Sequence, residues 1–336
     1  MRKTFPMIVF LCIAVALVGA ATFGFMNVTR ARAAVICTPT GFVRDSIDLT
    51  AAVIDPIGTF SSTVNATGCN IGVYYSPGTT GTVSKAEIFG ANYFGVVNNG
   101  GNVTITRSRI HDIGEVPFNG TQHGVAIYFA DGSVAKGSIK NNVIYNYQKG
   151  GIVVNGVGSS APISGNTVTG LGPVNFIAQN GIEVGDGAQA TVSNNKVTGN
   201  SYTGSGGASS GGILVFGGPC FASAYTTGIE VTGNTLIGND VGIYLVNLDS
   251  SCAPASTPTG NIASQNIIRN NAVNNTSGNN PGGYQAGITD QGDKDRMTSN
   301  QICGKGYTPV PNPPPFLFKI DVTLTNNPIV KGTTSC

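Results

Sequence analysis

The chain has 336 residues, of which 10% are charged and 8% aromatic, with 48 Gly and no Trp. Soluble domains usually carry about 25% charged residues. Helical surfaces draw on Glu, Lys and Arg for that charge. The composition therefore excludes helical bundles and coiled coils, and the length allows one elongated domain or two ordinary ones.

The N-terminal stretch has the features of an export signal. Arg2 and Lys3 precede an apolar run over residues 7–18, and small residues lead to Ala33. We predict cleavage after Ala33, so that residues 1–33 form the signal peptide. The apolar character continues to Met26, about the length of a bilayer span, so an uncleaved membrane anchor is the alternative.

Removal of this segment changes the charge of the protein. It takes away four basic residues and no acid, which leaves 14 basic against 16 acidic residues and a net charge of −2. Nucleic-acid binding depends on Lys and Arg contacts to phosphate, so no nucleic-acid partner is expected. We predict a secreted protein, extracellular or periplasmic, that contacts a membrane only if the anchor stays uncleaved.

The cysteine count fits an oxidising compartment. Without Cys12, which lies in the signal, six cysteines remain, and an even number there suggests disulfides. Six cysteines allow fifteen connectivities. Sequential pairing places 31 or 32 residues between partners and predicts the bonds Cys37–Cys69, Cys220–Cys252 and Cys303–Cys336.

Two patterns repeat along the chain. Gly followed by Val or Ile opens a short apolar run at Gly72, Gly95, Gly124, Gly151, Gly181, Gly212, Gly242 and Gly287. Between these marks an octapeptide recurs in seven copies, among them ISGNTVTG from Ile163 and VSNNKVTG from Val192. Internal periods of about 20–50 residues indicate a solenoid.

Each octapeptide predicts two short strands around a tight bend. Its first and sixth residues are apolar, its fourth is usually Asn, and Gly, Asn or Asp closes it. We expect the fourth-position residues to stack on successive turns, because Asn tolerates the left-handed conformation and bonds to its own kind. The expected ladder is Asn142, Asn166, Asn195, Asn234 and Asn266.

Counted with the Gly-Ile strand, each coil has three strands. These repeats resemble the right-handed parallel β-helix repeat family, with its pectate-lyase-like fold. The resemblance implies an all-β solenoid of about eight rungs and no particular activity. We predict one domain over residues 34–336, with coils over residues 71–302 between disulfide-stapled caps at 35–70 and 303–336.

A basic cluster in the early coils is the catalytic candidate. Arg107, Arg109, His111 and Lys140 would supply the base and the cations that a polysaccharide lyase needs for a uronate. In the repeat alignment Glu87 sits directly beneath Arg109. A solvated ion pair with ordinary surface charge is the alternative.

His123 stands in a QHG triplet that resembles the Gly-His-Gly motif of β-helical polygalacturonases. The Asn-Thr-Asp, paired-Asp and Arg-Ile-Lys motifs of those enzymes are absent from the chain. Because glycoside hydrolysis needs paired carboxylates, the sequence argues against a hydrolase.

A short acidic segment is the metal candidate. Asp290, Asp293 and Asp295 in TDQGDKD offer oxygens for Ca²⁺, the only cofactor that the sequence suggests. Lys294 and Arg296 beside them provide an alternative, which is neutralisation within the segment.

An apolar strip is expected on the outer face of the Gly-Ile strands. Its aromatic members are Tyr74, Tyr128, Phe216 and Tyr244. A strip of this size is usually an interface or is covered. We expect the tail from Pro315 to Val322 to cover it. Otherwise it would bind glycans, a surface protein or a second copy.

Three functions remain open at this stage. The first is a secreted or cell-surface rod that binds glycans or proteins. The second is a polysaccharide-active enzyme, namely a lyase that uses the early-coil cluster. The third is a surface protein that associates with itself through the strip.

Overall fold

The computed structural model describes residues 35–130, 132–275, 283–313 and 315–336. The proposed signal peptide lies outside these residues. Val35–Cys336 forms one compact unit. No helix in the described ranges has the length and hydropathy that a membrane crossing requires.

Short strands separated by bends occupy the described chain, together with 3₁₀ turns at Pro219–Phe221 and Lys305–Tyr307. In chain order the strands are β1 Thr38–Arg44, β2 Ile47–Ile54, β3 Thr59–Phe60, β4 Thr63–Asn65, β5 Ile71–Tyr75, β6 Thr80–Ser84, β7 Glu87–Phe89, β8 Phe94–Asn98, β9 Asn102–Thr106, β10 Arg109–Ile113, β11 Val125–Phe129, β12 Lys136–Lys140, β13 Val143–Tyr147, β14 Gly150–Asn155, β15 Ile163–Ser164, β16 Thr167–Val174, β17 Asn180–Gly185, β18 Thr191–Ser193, β19 Lys196–Tyr202, β20 Gly211–Gly217, β21 Glu230–Thr232, β22 Thr235–Ile237, β23 Val241–Asn247, β24 Ile262–Ser264, β25 Ile267–Arg269, β26 Tyr284–Gln291, β27 Arg296–Thr298, β28 Gln301–Cys303, β29 Phe316–Asp321, β30 Ile329–Lys331 and β31 Thr334–Ser335.

Every third strand joins the same sheet, which makes each coil a three-strand rung. Sheet I has 11 strands in the order β1-β2-β5-β8-β11-β14-β17-β20-β23-β26-β29. Sheet II has ten strands, from β3 to β30, and sheet III has ten, from β4 to β31. All pairs are parallel except the hairpin β1–β2. The predicted all-β parallel β-helix is confirmed, with ten strands in the two shorter sheets where about eight rungs were expected.

Apolar side chains in register fill the interior. In sheet I an isoleucine row runs through Ile127, Ile152, Ile182, Ile213, Ile243 and Ile288, and each of these residues is fully buried. The first and sixth octapeptide positions supply the matching rows of sheets II and III, such as Ile139 over Ile163 and Ile144 over Val168. The repeat pattern thus becomes a continuous core.

The asparagine ladder runs along the bend between sheets II and III. The backbone N–H and the Nδ2 of Asn166 both donate to Asn195 Oδ1, at 2.9 Å each. Asn166 Nδ2 also donates to the carbonyl of Ile139 at 3.0 Å. The same pattern links the predicted members Asn142 to Asn266, and it continues to Asn300.

The physical reason for the ladder differs from the one expected. The left-handed residue is the one before each ladder position, for example Asn141 at φ 58° and Asn194 at φ 55°. Gly165 and Gly233 occupy the same place at φ 67° and 66°. The ladder Asn therefore points inward from an ordinary backbone conformation, and the preceding residue makes the turn.

The coil extends into both segments that the sequence assigned to caps. Strands β2, β3 and β4 lie within residues 35–70 and already pair with the next rung. Strands β29, β30 and β31 likewise continue the three sheets within residues 303–336. The end covers are therefore smaller than expected, because these segments supply edge rungs themselves.

The three disulfides pair as predicted, with Cα atoms 5.3, 5.0 and 5.3 Å apart. Cys37–Cys69 and Cys303–Cys336 staple the two ends. Cys220–Cys252 instead joins two side loops in the middle of the solenoid, one after β20 and one after β23. This bond is thus not part of an end cap.

The N-terminal hairpin, and not the tail, covers the apolar strip. Phe42 on β1 lies 6.2 Å from the ring of Tyr74 and 6.4 Å from that of Tyr128. Arg44 Nη1 donates to Tyr128 Oη at 3.3 Å. The segment expected as a cover forms β29, which extends sheet I in parallel with β26. Only the N-terminal half of the strip is covered.

Candidate functional site

A groove follows the outer face of sheet I where the hairpin cover ends. Its volume is about 650 Å³. It crosses the rungs of β17, β20, β23 and β26. The loop before β11, which contains Gln122, and the turn after β20, which contains Phe221, border it. The lining residues are Gln122, Lys149, Asn180, Glu183, Leu214, Phe216, Phe221, Tyr244, Val246, Leu248 and Gln291.

The floor of the groove is apolar because two outward rows meet there. Leu214 pairs with Tyr244 in one row, and Phe216 pairs with Val246 in the other. Gly185 precedes Phe216 in its row, and a Cβ at Gly185 would stand 2.1 Å from the Phe216 ring. The absence of a side chain at Gly185 therefore lets the Phe216 ring lie flat along the floor.

A side loop builds one wall. Phe221 follows Cys220 in the 3₁₀ turn after β20 and stays 42% exposed. Its ring meets Phe216 edge-on, with centroids 5.5 Å apart. The Cys220–Cys252 disulfide ties this turn to the loop of the next rung. An exposed aromatic side chain is thus held at the groove by a covalent bond.

The opposite end of the groove carries one charge of each sign. Lys149 Nζ donates to the Ala178 carbonyl at 3.0 Å, and Asn180 Nδ2 donates to Glu183 Oε2 at 3.0 Å. Burial lowers the pKa of Lys149, and the Glu183 carboxylate opposes that shift. Burial raises the pKa of Glu183, and Lys149 and Asn180 oppose it. The two side chains offset each other, so the groove has little net charge.

His123 lies beside this polar end. Its Nε2 is 2.6 Å from Glu115 Oε1, and its ring stacks on Tyr93 with centroids 3.8 Å apart. Gln148 Nε2 donates to the carbonyl and hydroxyl of Thr121, which holds the preceding loop against the solenoid. The histidine of the QHG triplet is therefore fixed in place next to a single carboxylate.

The predicted catalytic cluster is only partly brought together. Arg107 and Arg109 line a surface cavity of about 480 Å³ with Lys85 and Glu87. Arg109 is in register with Glu87, as the alignment predicted. Lys140 lies in sheet II and does not line this cavity. This arrangement does not bring the four predicted catalytic residues into one site. The lyase function stays a hypothesis.

His111 occupies a stack of rings on sheet III. It lies between Phe89 and Tyr145, with ring centroids 5.2 and 4.8 Å away and planes within 6°. Its Nδ1 is 2.7 Å from Asp112 Oδ2. Both ring faces are covered, so a substrate has no access to them.

The three carboxylates of the acidic segment accept hydrogen bonds from protein donors. Thr325 donates to Asp290, Thr259 and the Asn261 N–H donate to Asp295, and Asn327 donates to Asp293. Among the residues that the structure describes, no group of three or more His, Cys, Asp or Glu could hold a metal ion. Burial, together with the charge of Asp290, raises the pKa of Asp295 to about 7. Protein donors thus already occupy oxygens of all three acids, and the calcium site stays a prediction.

The four predicted binding aromatics separate into two pairs. Tyr74 and Tyr128 are 2% and 3% exposed under the hairpin, so neither lies on the open part of the strip. Phe216 and Tyr244 line the groove. Sequence reasoning missed Lys149, Gln122 and Phe221 and gave Glu183 no role. The sequence does contain a signal for Glu183. Its neighbours in the same outward row, Val153 and Leu214, are apolar, so a charged residue between them is unusual.

One family model matches part of the chain. The family described as the right-handed β-helix region matches residues 59–220. No curated protein matches the chain. The Dettilon tailspike protein (gp208) is 13% identical with a TM-score of 0.43, and the alignment covers 83% of this chain and 60% of that one.

Two further solved structures are similar. The A-module of the Azotobacter vinelandii mannuronan C-5 epimerase AlgE6 is 17% identical with a TM-score of 0.29, over 79% of this chain and 68% of that one. The pre-mature bacteriophage phi29 gene product 12 is 11% identical with a TM-score of 0.25, over 82% and 42%. These names describe those proteins, and the function of this chain rests on its own residues.

The described part of the chain folds as a right-handed parallel β-helix. Its side-chain rows are built from repeats, and one open groove interrupts the regular outer face of sheet I.

Proposed function

We propose that this protein is an exported carbohydrate-binding rod and that the groove on sheet I binds a neutral glycan chain. The flat aromatic floor, bordered by amide side chains, supports this proposal. Sugar rings present C–H faces that pack on aromatic rings, and their hydroxyls need donors and acceptors at the edges. Gln122, Asn180 and Gln291 provide both at the rim.

The balanced charge supports a neutral ligand over an acidic one. Lys149 is the cation of the groove lining, and Glu183 stands beside it. A uronate chain would need cations without a neighbouring carboxylate. The three disulfides fit an oxidising compartment outside the cytosol, where such a ligand is met.

The test is an array of neutral and acidic oligosaccharides probed with the wild-type protein, Phe216→Ala and Tyr244→Ala. Tyr145→Ala is the matched control, since this aromatic residue lies on the outer face of sheet III. Each groove substitution should weaken binding by roughly threefold to tenfold, the equivalent of about 0.5–1.5 kcal/mol of ring packing. An equal loss in Tyr145→Ala, or no bound glycan, would refute the proposal.

A further inference from the structure

A more enclosed cavity of about 220 Å³ continues the groove toward the hairpin. Gln122, Lys149 and Glu183 line both spaces, so the two are joined there. Arg44 and Asp45 at the hairpin turn also line the cavity. The groove thus ends against the N-terminal hairpin.

Asn155 is a buried side chain with an unused acceptor in this cavity. It ends β14 on the outward side, is 8% exposed and lines the cavity. Its Oδ1 accepts no hydrogen bond from any residue in the described part of the chain. A buried acceptor without a partner destabilises the fold and calls for an explanation, such as a bound group that donates to it.

The groups around Asn155 define what that partner must be. Lys149 Nζ has three N–H donors, of which one goes to Ala178. Glu183 offers acceptor oxygens, and the Asn155 amide beside it lowers its pKa against the larger effect of burial. A hydroxyl group both donates and accepts, so neighbouring hydroxyls on one ring can satisfy all three side chains.

The walls favour a ring over a cluster of waters. Phe94 and Tyr128 stack with centroids 4.8 Å apart, and Tyr93 stacks on His123, so aromatic side chains form one side of the cavity. The volume is about seven times the ~30 Å³ that one water occupies in the liquid. That space accommodates one pyranose ring.

We propose that this cavity is an end subsite, which binds the terminal sugar unit of the glycan through a hydroxyl donated to Asn155 Oδ1. The proposal rests on glycan binding in the groove. Because Arg44 and Asp45 of the hairpin turn line this end of the cavity, we expect the glycan to end there, so that the protein recognises chain ends. Phe216 then contacts the inner units, and Asn155 contacts the last one.

Free hexoses test the subsite without the rest of the chain. D-glucose, D-galactose and D-mannose are titrated into wild-type protein, Asn155→Leu, Asn155→Val and Phe216→Ala, with saturation-transfer NMR as the readout. At least one hexose should bind wild-type protein and Phe216→Ala with equal affinity. Both Asn155 variants should lose at least tenfold, while their unfolding temperatures stay within a few degrees of wild type.

The outcomes separate the two proposals. Hexose binding that survives both Asn155 substitutions, or the absence of any hexose binding to wild type, overturns the end subsite. If oligosaccharides still bind in a Phe216-dependent manner in that case, the groove stands without it. A large drop in unfolding temperature with unchanged affinity would make Asn155 a structural residue and would also overturn the inference.

Discussion

Phe221 meets Phe216 edge-on, with ring planes at 88° and centroids 5.5 Å apart. The two residues belong to the same rung but to different parts of it, one on strand β20 and one in the 3₁₀ turn that follows. This contact converts a flat outer face into a groove with a wall. Because the Cys220–Cys252 bond holds the turn, a disulfide shapes the candidate site.

Removal of that disulfide tests this relationship. The double variant Cys220→Ser, Cys252→Ser should lower the free energy of unfolding by about 2–4 kcal/mol, because the open loop gains freedom in the unfolded chain. It should also weaken glycan binding as much as Phe221→Ala does. Denaturant unfolding and binding titrations measure the two effects. If Phe221→Ala leaves affinity intact, the wall has no role in binding.

The asparagine ladder should be costly to interrupt. Asn195→Ala removes the acceptor of both Asn166 donors and the donor to the Ile163 carbonyl. Leaving these buried groups unpaired should lower the free energy of unfolding by about 2–4 kcal/mol. The exposed neighbour Lys196 is the control, and Lys196→Ala should change it by less than about 0.5 kcal/mol. Similar losses in the two variants would argue against the ladder.

Asp240 should make stability depend on pH. Burial raises its pKa from 3.8 to about 6, against the hydrogen bonds from Ser210, Ser201 and Tyr202. Between these values the folded protein keeps a proton that the unfolded chain has lost. The free energy of unfolding should therefore fall as the pH rises from about 4 to about 6, by at most about 3 kcal/mol from this group.

The substitution Asp240→Asn isolates this effect. It should reduce the difference in unfolding free energy between pH 4 and pH 7, measured by urea titration at both values. The amide oxygen of the substituted side chain can take the place of Oδ2 and accept the Tyr202 and Ser210 N–H bonds, while its nitrogen faces the Ser201 hydroxyl, which can accept. An unchanged pH difference would mean that Asp240 titrates normally in the folded protein.

The early-coil cluster should be dispensable for glycan binding. Arg109→Ala and His111→Ala lie on the outer face of sheet III, away from the groove lining, so affinity on the oligosaccharide array should stay at the wild-type value. The same variants test the lyase hypothesis. Uronate polysaccharides are screened for unsaturated products, and product formation that survives both substitutions would exclude this site.

Self-association through the strip should not occur. The hairpin covers the half that contains Tyr74 and Tyr128, and a stable interface needs about 800 Å² from each partner. Sedimentation velocity should therefore give a monomer from roughly micromolar to 100 micromolar protein. A mass that rises with concentration, and that Phe216→Ala abolishes, would identify the groove as a contact between copies.

The solenoid could be predicted from the sequence because the same octapeptide pattern occurs in seven copies. Each octapeptide places an apolar residue such as Ile163 or Val192 on the same inward row, so seven weak signals reinforce one another. The register of Arg109 over Glu87 followed from the same alignment. The ladder position was also predicted, although its backbone explanation was wrong, since the turn conformation belongs to the preceding residue.

The site was predicted poorly because its residues depart from the repeat. Lys149, Glu183 and Phe221 occupy places that hold other residue types in the remaining coils, so no alignment of copies brings them together. The acidic segment differs, because its residues are neighbours in the sequence itself. Three acids close in sequence suggested one site, and in the structure Asp290, Asp293 and Asp295 each accept a hydrogen bond from a protein donor.

The amino-acid sequence alone determined that this protein winds into a three-strand coil and which cysteines pair as disulfides. Both depend on contacts between residues one coil apart, and the same residue types recur once in each coil. Only the tertiary structure decided which part of the outer face stays open. That outcome depends on Phe42 folding back over Tyr74 and on Phe221 standing above Phe216, and neither contact has a counterpart in the repeat.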